Sequence, residues 1–247
     1  MGTPDTFIDG LRLYLQLRDW ALEKMKAVPV GSQPLDIEVY QYMYLANALG
    51  ACDLVGETFY GSDFRKPAYE TPYDKAVIQA FDQVVVSTSQ VRGKEAYGYV
   101  RELRNSVVHR GLGSAMAAHA NDQFVFALCP PKVTNVNGKG TFRAPWKYMP
   151  ELAAASTVAI NTVIAAELGG RGTLEAYEAT IAPLSDVLKF IDDSEAMPDL
   201  VKGMARQAFS SGNYDDWARQ AMGGIVKELK TRLGIPIASP LSSSEPR

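Results

Sequence analysis

Cysteine and histidine are scarce in this sequence of 247 residues: Cys52, Cys129, His109 and His119 are the whole supply. The two cysteines lie far apart with no CxxC partner, which argues against a disulfide framework and against a thiolate metal site. They read as small buried thiols in a reducing compartment. With so few histidines besides, no protein-held metal is expected. Uninterrupted apolar runs are lacking too: no segment reads as long enough to cross a bilayer, and the amino-terminal stretch shows no basic start followed by an apolar core. The expectation is a soluble cytoplasmic chain with no membrane partner. No P-loop, GxSxG elbow, dinucleotide fingerprint or HExxH pair occurs, which removes the nucleotidases, hydrolases and metallopeptidases that depend on them. Gly169-Gly170-Arg171-Gly172 follows a helical pattern and reads as a helix stop.

What the chain does have is an uneven charge. Its net charge is −3 from 25 basic and 28 acidic residues, too acidic for a general nucleic-acid coat. Yet residues 92 to 148 hold nine Lys and Arg against Glu95, Glu102 and Asp122, a local +6 that leaves −9 for the rest. A basic middle in an acidic chain is the pattern of a localised polyanion site, and equally of a solvated basic face.

Apolar residues recur at helical spacing over about 5–27, 35–60, 73–90, 94–110, 150–168, 174–192, 197–210 and 214–233, so the fold class reads as all-α. Thr71 or Asp74 stands ready to cap the third helix and Asn213 the last. Between 123 and 147 the period changes to alternation, and Asn137-Gly138 signals a type I′ turn, so a small β-hairpin insertion is placed there. The domain reading is a helical domain over 1–170 carrying that insertion, a helical extension over 171–233, and a Pro- and Ser-rich disordered tail over 234–247. His119, in an Ala-rich stretch, reads as an ordinary structural or surface histidine.

The helix at 94–110 carries the candidate chemistry. Ala96, Tyr99, Val100, Leu103 and Val107 form one apolar stripe, while Arg101, Asn105 and His109 follow each other on the opposite face. Arg104 lies on the border, roughly 140° around the ideal helix from His109. Arg104 and His109 on one straight helix therefore point apart, and a shared site needs a bent last turn, a long reach, or a second subunit.

Leu103-Arg104-Asn105-Ser106-Val107-Val108-His109-Arg110-Gly111 resembles the R-x4-6-H motif of the HEPN family, the higher eukaryotes and prokaryotes nucleotide-binding domain. The resemblance covers at most residues 5 to 168. It implies a helical bundle that dimerises so that two motifs line one cleft, and a metal-independent endoribonuclease, without cofactor, acting as a toxin or antiphage defence effector. On this chain it makes His109 the general acid or base at the RNA 2′-hydroxyl, Arg104 the holder of the scissile phosphate, and Asn105 an orienting group. The expected products are a 2′,3′-cyclic phosphate and a 5′-hydroxyl. Arg101 and Arg110 flank the motif as candidate phosphate contacts, and Lys139, Arg143 and Lys147, interleaved with Phe142, Trp146 and Tyr148, as candidate contacts along a single strand. Implied partners are RNA, a second copy of the chain, and an antitoxin or regulatory protein. Some family members lack nuclease activity, so a non-catalytic nucleotide- or protein-binding regulatory domain is the alternative.

Overall fold

The structure, a computed structural model, describes residues 4–27, 34–65, 71–84, 91–110, 116–120, 123–135 and 138–237. Its first two helices, α1 (Pro4–Lys26) and α2 (Pro34–Tyr60), run antiparallel: Phe7 meets Phe59 at one end and Trp20 meets Tyr40 at the other, with ring centroids 5.4 and 5.6 Å apart. The apolar residues of α2 lie almost all round it, so it must be covered on most sides. Helices α3 (Pro72–Val84), α4 (Gly93–Arg110) and, after the strands, α5 (Met149–Gly170) belong to the same unit and bury Val77, Phe81, Tyr99, Leu103, Leu152 and Ile160. Of the stripe expected on α4, Ala96, Tyr99, Val100 and Leu103 are buried and Val107 half-buried.

Polar groups tie this core together. The fully buried Arg18 of α1 donates to Asp19 Oδ1 (2.9 and 2.6 Å) and to Asn161 Oδ1 of α5 (2.5 Å). Tyr44 of α2 donates from its hydroxyl to the carbonyl of Ala153 at 2.5 Å and lies 3.0 Å from the Thr157 hydroxyl. Burial pushes the Tyr44 phenol up to about 12. These ties specify which face of α5 turns inward, because each buried donor needs its partner. Helix α5 itself has only Glu151 and Glu167 as charges over 22 residues, and by length and composition it is long and apolar enough to cross a membrane, contrary to the sequence expectation. Its apolar residues Leu152, Ala153, Ile160 and Ile164 are buried in the core.

Four short strands lie between α4 and α5. β1 (Met116–Ala120) pairs antiparallel with β2 (Gln123–Leu128), with a register shift at Ala118/His119. β3 (Lys132–Thr134) pairs with β4 (Thr141–Arg143), Val133 facing Phe142. The sequence reading missed β1, where an Ala-rich run carries no alternation to detect. The ladder continues one step past β3, since Asn135 N–H donates to Gly140 O at 2.9 Å, and Gly138 N–H donates to Asn135 O at 3.0 Å. The turn itself, at which Asn137-Gly138 was expected, runs through residues 136 and 137, which lie outside the described residues.

The β3–β4 hairpin is pinned to the first half of α4. Tyr99 donates from its hydroxyl to Pro130 O (2.7 Å), Arg143 Nε to Glu95 Oε1 (2.9 Å), and the Phe142 ring fills the space where a side chain on Gly98 would stand. Cys129, at the base of the hairpin, is buried, and its backbone N–H donates to Lys147 O at 2.9 Å.

Residues 168–247 form a second unit. The sequence pattern predicts one helix over 174–192, but the structure breaks it into α6 (Thr173–Ala179) and α7 (Leu184–Asp193). Pro183 is the cause: it has no N–H to give a helix and turns the preceding residue away from helical backbone. After α8 (Asp199–Ser211), α9 (Tyr214–Leu233) packs with α6 and buries Val226, Leu229 and Leu233. Asn213 does not cap it as expected; its side-chain amide donates to the Asp216 carboxylate instead of accepting a backbone N–H. Gly234 ends α9 in the left-handed region (φ 72°), its N–H donating to Thr231 O and that of Ile235 to Lys230 O at 2.8 Å, a Schellman stop. The expected tail falls outside the described residues from position 238 onward.

Two stability predictions follow from the hairpin's docking. Gly98→Leu forces Phe142 off α4 and should lower stability by about 1–3 kcal/mol, outweighing the roughly 1 kcal/mol of helix propensity gained. A lower urea midpoint at unchanged slope is the check. Burial, the larger influence, raises the Cys129 thiol from 9.0 to about 12, so the folded state holds that proton more tightly than the unfolded. This stabilisation is complete below pH 9 and is lost as the pH climbs toward 12. Urea midpoints measured from pH 7 to 11 should therefore decline at the alkaline end, and less steeply in Cys129→Ala.

Candidate functional site

Helix α4 brings Arg101, Arg104 and Asn105 to one surface, but what holds them comes from other elements. Arg104 Nη2 donates to Asp53 Oδ2 of α2 at 2.9 Å, and its Nη1 to Asn105 Oδ1 at 3.2 Å. Asn105 in turn donates through Nδ2 to Glu102 Oε1 at 3.3 Å, and the Ser106 hydroxyl donates to the backbone oxygen of Glu102 at 2.7 Å. The carboxylate of Asp53 serves a second cation as well: Arg65 pairs with its other oxygen, Oδ1. Asp53 therefore bridges two guanidinium groups from separate parts of the chain. Their side chains are 13% (Asp53), 20% (Arg104) and 21% (Arg65) exposed, so the bridge stands at the edge of the core.

Arg65 is held in place by its neighbours rather than by a helix. It follows the short 3₁₀ turn Gly61–Asp63 and is the one non-glycine among the described residues with positive φ, 66°. Its backbone N–H donates to Asp74 Oδ2 at 3.1 Å. That carboxylate belongs to the start of α3, where Thr71 is the cap: Thr71 Oγ1 accepts the Asp74 N–H (3.0 Å) and donates its own proton to Asp74 Oδ2 (2.6 Å), while Pro72 takes the first helical position. Thr71 and Asp74 thus act together at the start of α3, as the sequence allowed. The preceding Phe64 lies where only a glycine at 56 leaves room, and the Arg65 guanidinium lies 4.4 Å from the Phe64 ring centroid. A left-handed arginine persists only where its surroundings over-determine it, and these do.

Arg101 completes the group, its guanidinium 5.7 Å from the ring centroid of Tyr97. Burial lowers the pKa of both Arg65 and Arg104, and the charge of Arg101 lowers them further. All three remain cationic at neutral pH, because a guanidinium does not give up its proton in a protein. Beneath them the Cys52 thiol is pushed up by burial, with the Tyr73 hydroxyl 3.5 Å from its sulfur. It sits as a protonated, buried thiol, unsuited to nucleophilic work.

The remaining expected residues fall elsewhere or beyond view. His109 and Arg110 close α4; their side chains lie outside the described part of the structure, as does that of His119 on β1. Arg143 is ion-paired with Glu95, near the start of α4 and roughly 13 Å along the helix from Arg104. The Lys147 ammonium lies 5.7 Å from the Tyr148 ring centroid, and Lys139 is exposed in the hairpin loop. Arg143 is therefore held away from Arg104. Among the described residues, no three or more His, Cys, Asp or Glu side chains meet as a metal site.

Sequence reasoning missed Asp53 and Arg65. Asp53 left a signal, a lone acid in the apolar run Leu49–Val55, since a charge on a buried helix implies a partner. Arg65 left none. In comparisons with known proteins, no family model, no curated sequence and no solved structure matches this chain.

Neutralising the bridge tests its weight. Asp53→Asn leaves two part-buried guanidinium groups without their counter-charge and should cost about 2–4 kcal/mol. Glu95→Gln, which breaks only the exposed pair with Arg143, should move the chemical-denaturation midpoint far less.

Proposed function

We propose that the chain is a metal-independent endoribonuclease of the HEPN type, working as a homodimer on cytoplasmic RNA as a toxin or antiphage defence effector. The observation that supports it most is that Arg104, the first residue of the motif, stands part-exposed with Asn105 hydrogen-bonded beside it and Arg65 and Arg101 close by. Three cations around one site suit a phosphodiester, whose charge grows as its bond is broken.

In this reading His109 takes the proton of a ribose 2′-hydroxyl, and the 2′-oxygen attacks the adjacent phosphorus. The bond to the 5′-oxygen breaks, that oxygen leaves with a proton, and the products are a 2′,3′-cyclic phosphate and a 5′-hydroxyl. Arg104 stabilises the charge on the non-bridging oxygens, and Asn105 fixes the guanidinium plane through its own bond to Glu102. Because α4 is helical through His109, Arg104 and His109 project about 140° apart on an ideal helix. The homodimer supplies what one helix withholds: Arg104 of one protomer and His109 of the other converge on one phosphate. A regulatory protein or antitoxin would hold such an activity in check.

A second reading has its own support. Arg104 is already neutralised within the chain by Asp53, as it would be if the pair were a structural tie in a non-catalytic domain that binds a nucleotide or protein partner.

Incubation of wild type, Arg104→Ala and His109→Ala with total and transfer RNA in EDTA separates the two. Cleavage by wild type leaving cyclic phosphate ends, with the rate reduced at least about 100-fold in each variant, is the expected result. Equal cleavage by all three, or intact RNA throughout together with nucleotide binding that survives both substitutions, would favour the second reading.

A further inference from the structure

We propose that Arg65 and Arg104 form one two-armed phosphate site, and that Asp53 is the internal counter-ion which a phosphate group displaces. This rests on the nuclease reading for its substrate, the RNA backbone, and goes beyond the motif by adding a residue that lies well outside it.

The bridge places one anionic group between two guanidinium groups. One planar carboxylate offers each of its two oxygens to a different guanidinium, Oδ2 to Arg104 at 2.9 Å and Oδ1 to Arg65. A phosphate presents the same feature, paired oxygens sharing negative charge, and guanidinium forks accept either anion. The two arms come from different parts of the chain, Arg65 just past the 3₁₀ turn Gly61–Asp63 and Arg104 in α4. Arg101 lies near enough to act on both.

Charge and strain point the same way. Within the group two cations pair with the single carboxylate of Asp53, and a third, Arg101, acts on both of them. The acids at its rim are otherwise engaged or more distant: Glu102 accepts from Asn105, and Glu57 acts on Arg104 more weakly than Arg101 does. A tie needed only for stability would be made more simply by Arg104 with Asp53. Instead a second arginine is brought in on a left-handed backbone, fixed by Asp74 and by the Phe64 ring. Strain held in this way by its surroundings is a feature of ligand clamps.

The experiment uses the full chain and two probes: a 2′-O-methylated single-stranded oligonucleotide, which cannot be cleaved, followed by fluorescence anisotropy over a range of salt, and inorganic pyrophosphate, followed by thermal shift. Arg65→Ala should weaken oligonucleotide binding about tenfold and reduce the salt dependence by close to one phosphate contact. Arg65→Lys, which keeps the charge and the fold but loses the fork, should weaken it a few-fold at an unchanged melting midpoint. Asp53→Asn should lose melting temperature yet bind the oligonucleotide at least as tightly as wild type and be stabilised more by pyrophosphate, because its internal competitor has gone.

Unchanged affinity and salt slope in both Arg65 variants would overturn the proposal, as would an Asp53→Asn protein that binds as poorly as Arg65→Ala. If wild type binds pyrophosphate through Arg65 but ignores the oligonucleotide, the two-armed site stands and the RNA reading falls. If wild type binds neither probe, both fall.

Discussion

Helix α2 has apolar residues on nearly every side, and the need to cover them organises the first unit. α1 lies along one side and α4 packs on another, while the buried Tyr44 reaches Ala153 and Thr157 of α5. Of the four acids on this helix, Asp36, Glu38, Asp53 and Glu57, Asp53 lies in the apolar stretch Leu49–Val55 with its side chain 13% exposed. A carboxylate at that depth cannot stand alone, because losing its hydration is costly unless opposite charge replaces the water. The fold answers with Arg104 from α4 and Arg65 from the turn before α3, and so draws both elements toward the same point.

That demand gives meaning to local features that otherwise look incidental. The Thr71 cap starts α3, but Asp74 also accepts the N–H of Arg65 and so fixes the one left-handed non-glycine among the described residues. Gly56 leaves room for Phe64, whose ring then lies against the Arg65 guanidinium. Each contact alone is worth little. Together they remove the freedom that would cost a surface ion pair most of its value.

The helices were legible wherever their apolar period was long: α1, α2, α4, α5 and α9 were found close to their actual ends, and the stripe of α4 is the one that is buried. What stayed hidden depended on partners distant in sequence. An Ala-rich strand such as β1 has no pattern of its own and exists because β2 pairs with it. Asn213 has the chemistry of a cap, but the nearby Asp216 takes its amide. Pro183 was visible and its meaning was missed: the periodicity on either side is continuous, yet the backbone is not. For the candidate site, the helix, its polar stripe of Arg101, Asn105 and His109, and the border place of Arg104 could be read from spacing. Asp53 and Arg65 could not, because spacing describes one element and an ion pair joins two.

The basic surplus of residues 92–148 takes on a different character once its pairs are known. Arg104 is balanced by an acid from outside the segment, while Arg143 is balanced from within, by Glu95. The Arg143–Glu95 pair is already counted in the local +6, so of the two only Asp53, from outside the segment, offsets a further charge. What remains concentrated is the trio of guanidinium groups about Asp53. In the proposed nuclease this separates two tasks by position. Holding phosphate belongs to a rigid corner built from α2, α4 and the turn before α3, while proton transfer belongs to the last turn of α4, past the point where the helix has rotated away. A dimer unites the two tasks and a monomer keeps them apart, so for such a protein assembly would govern catalysis directly.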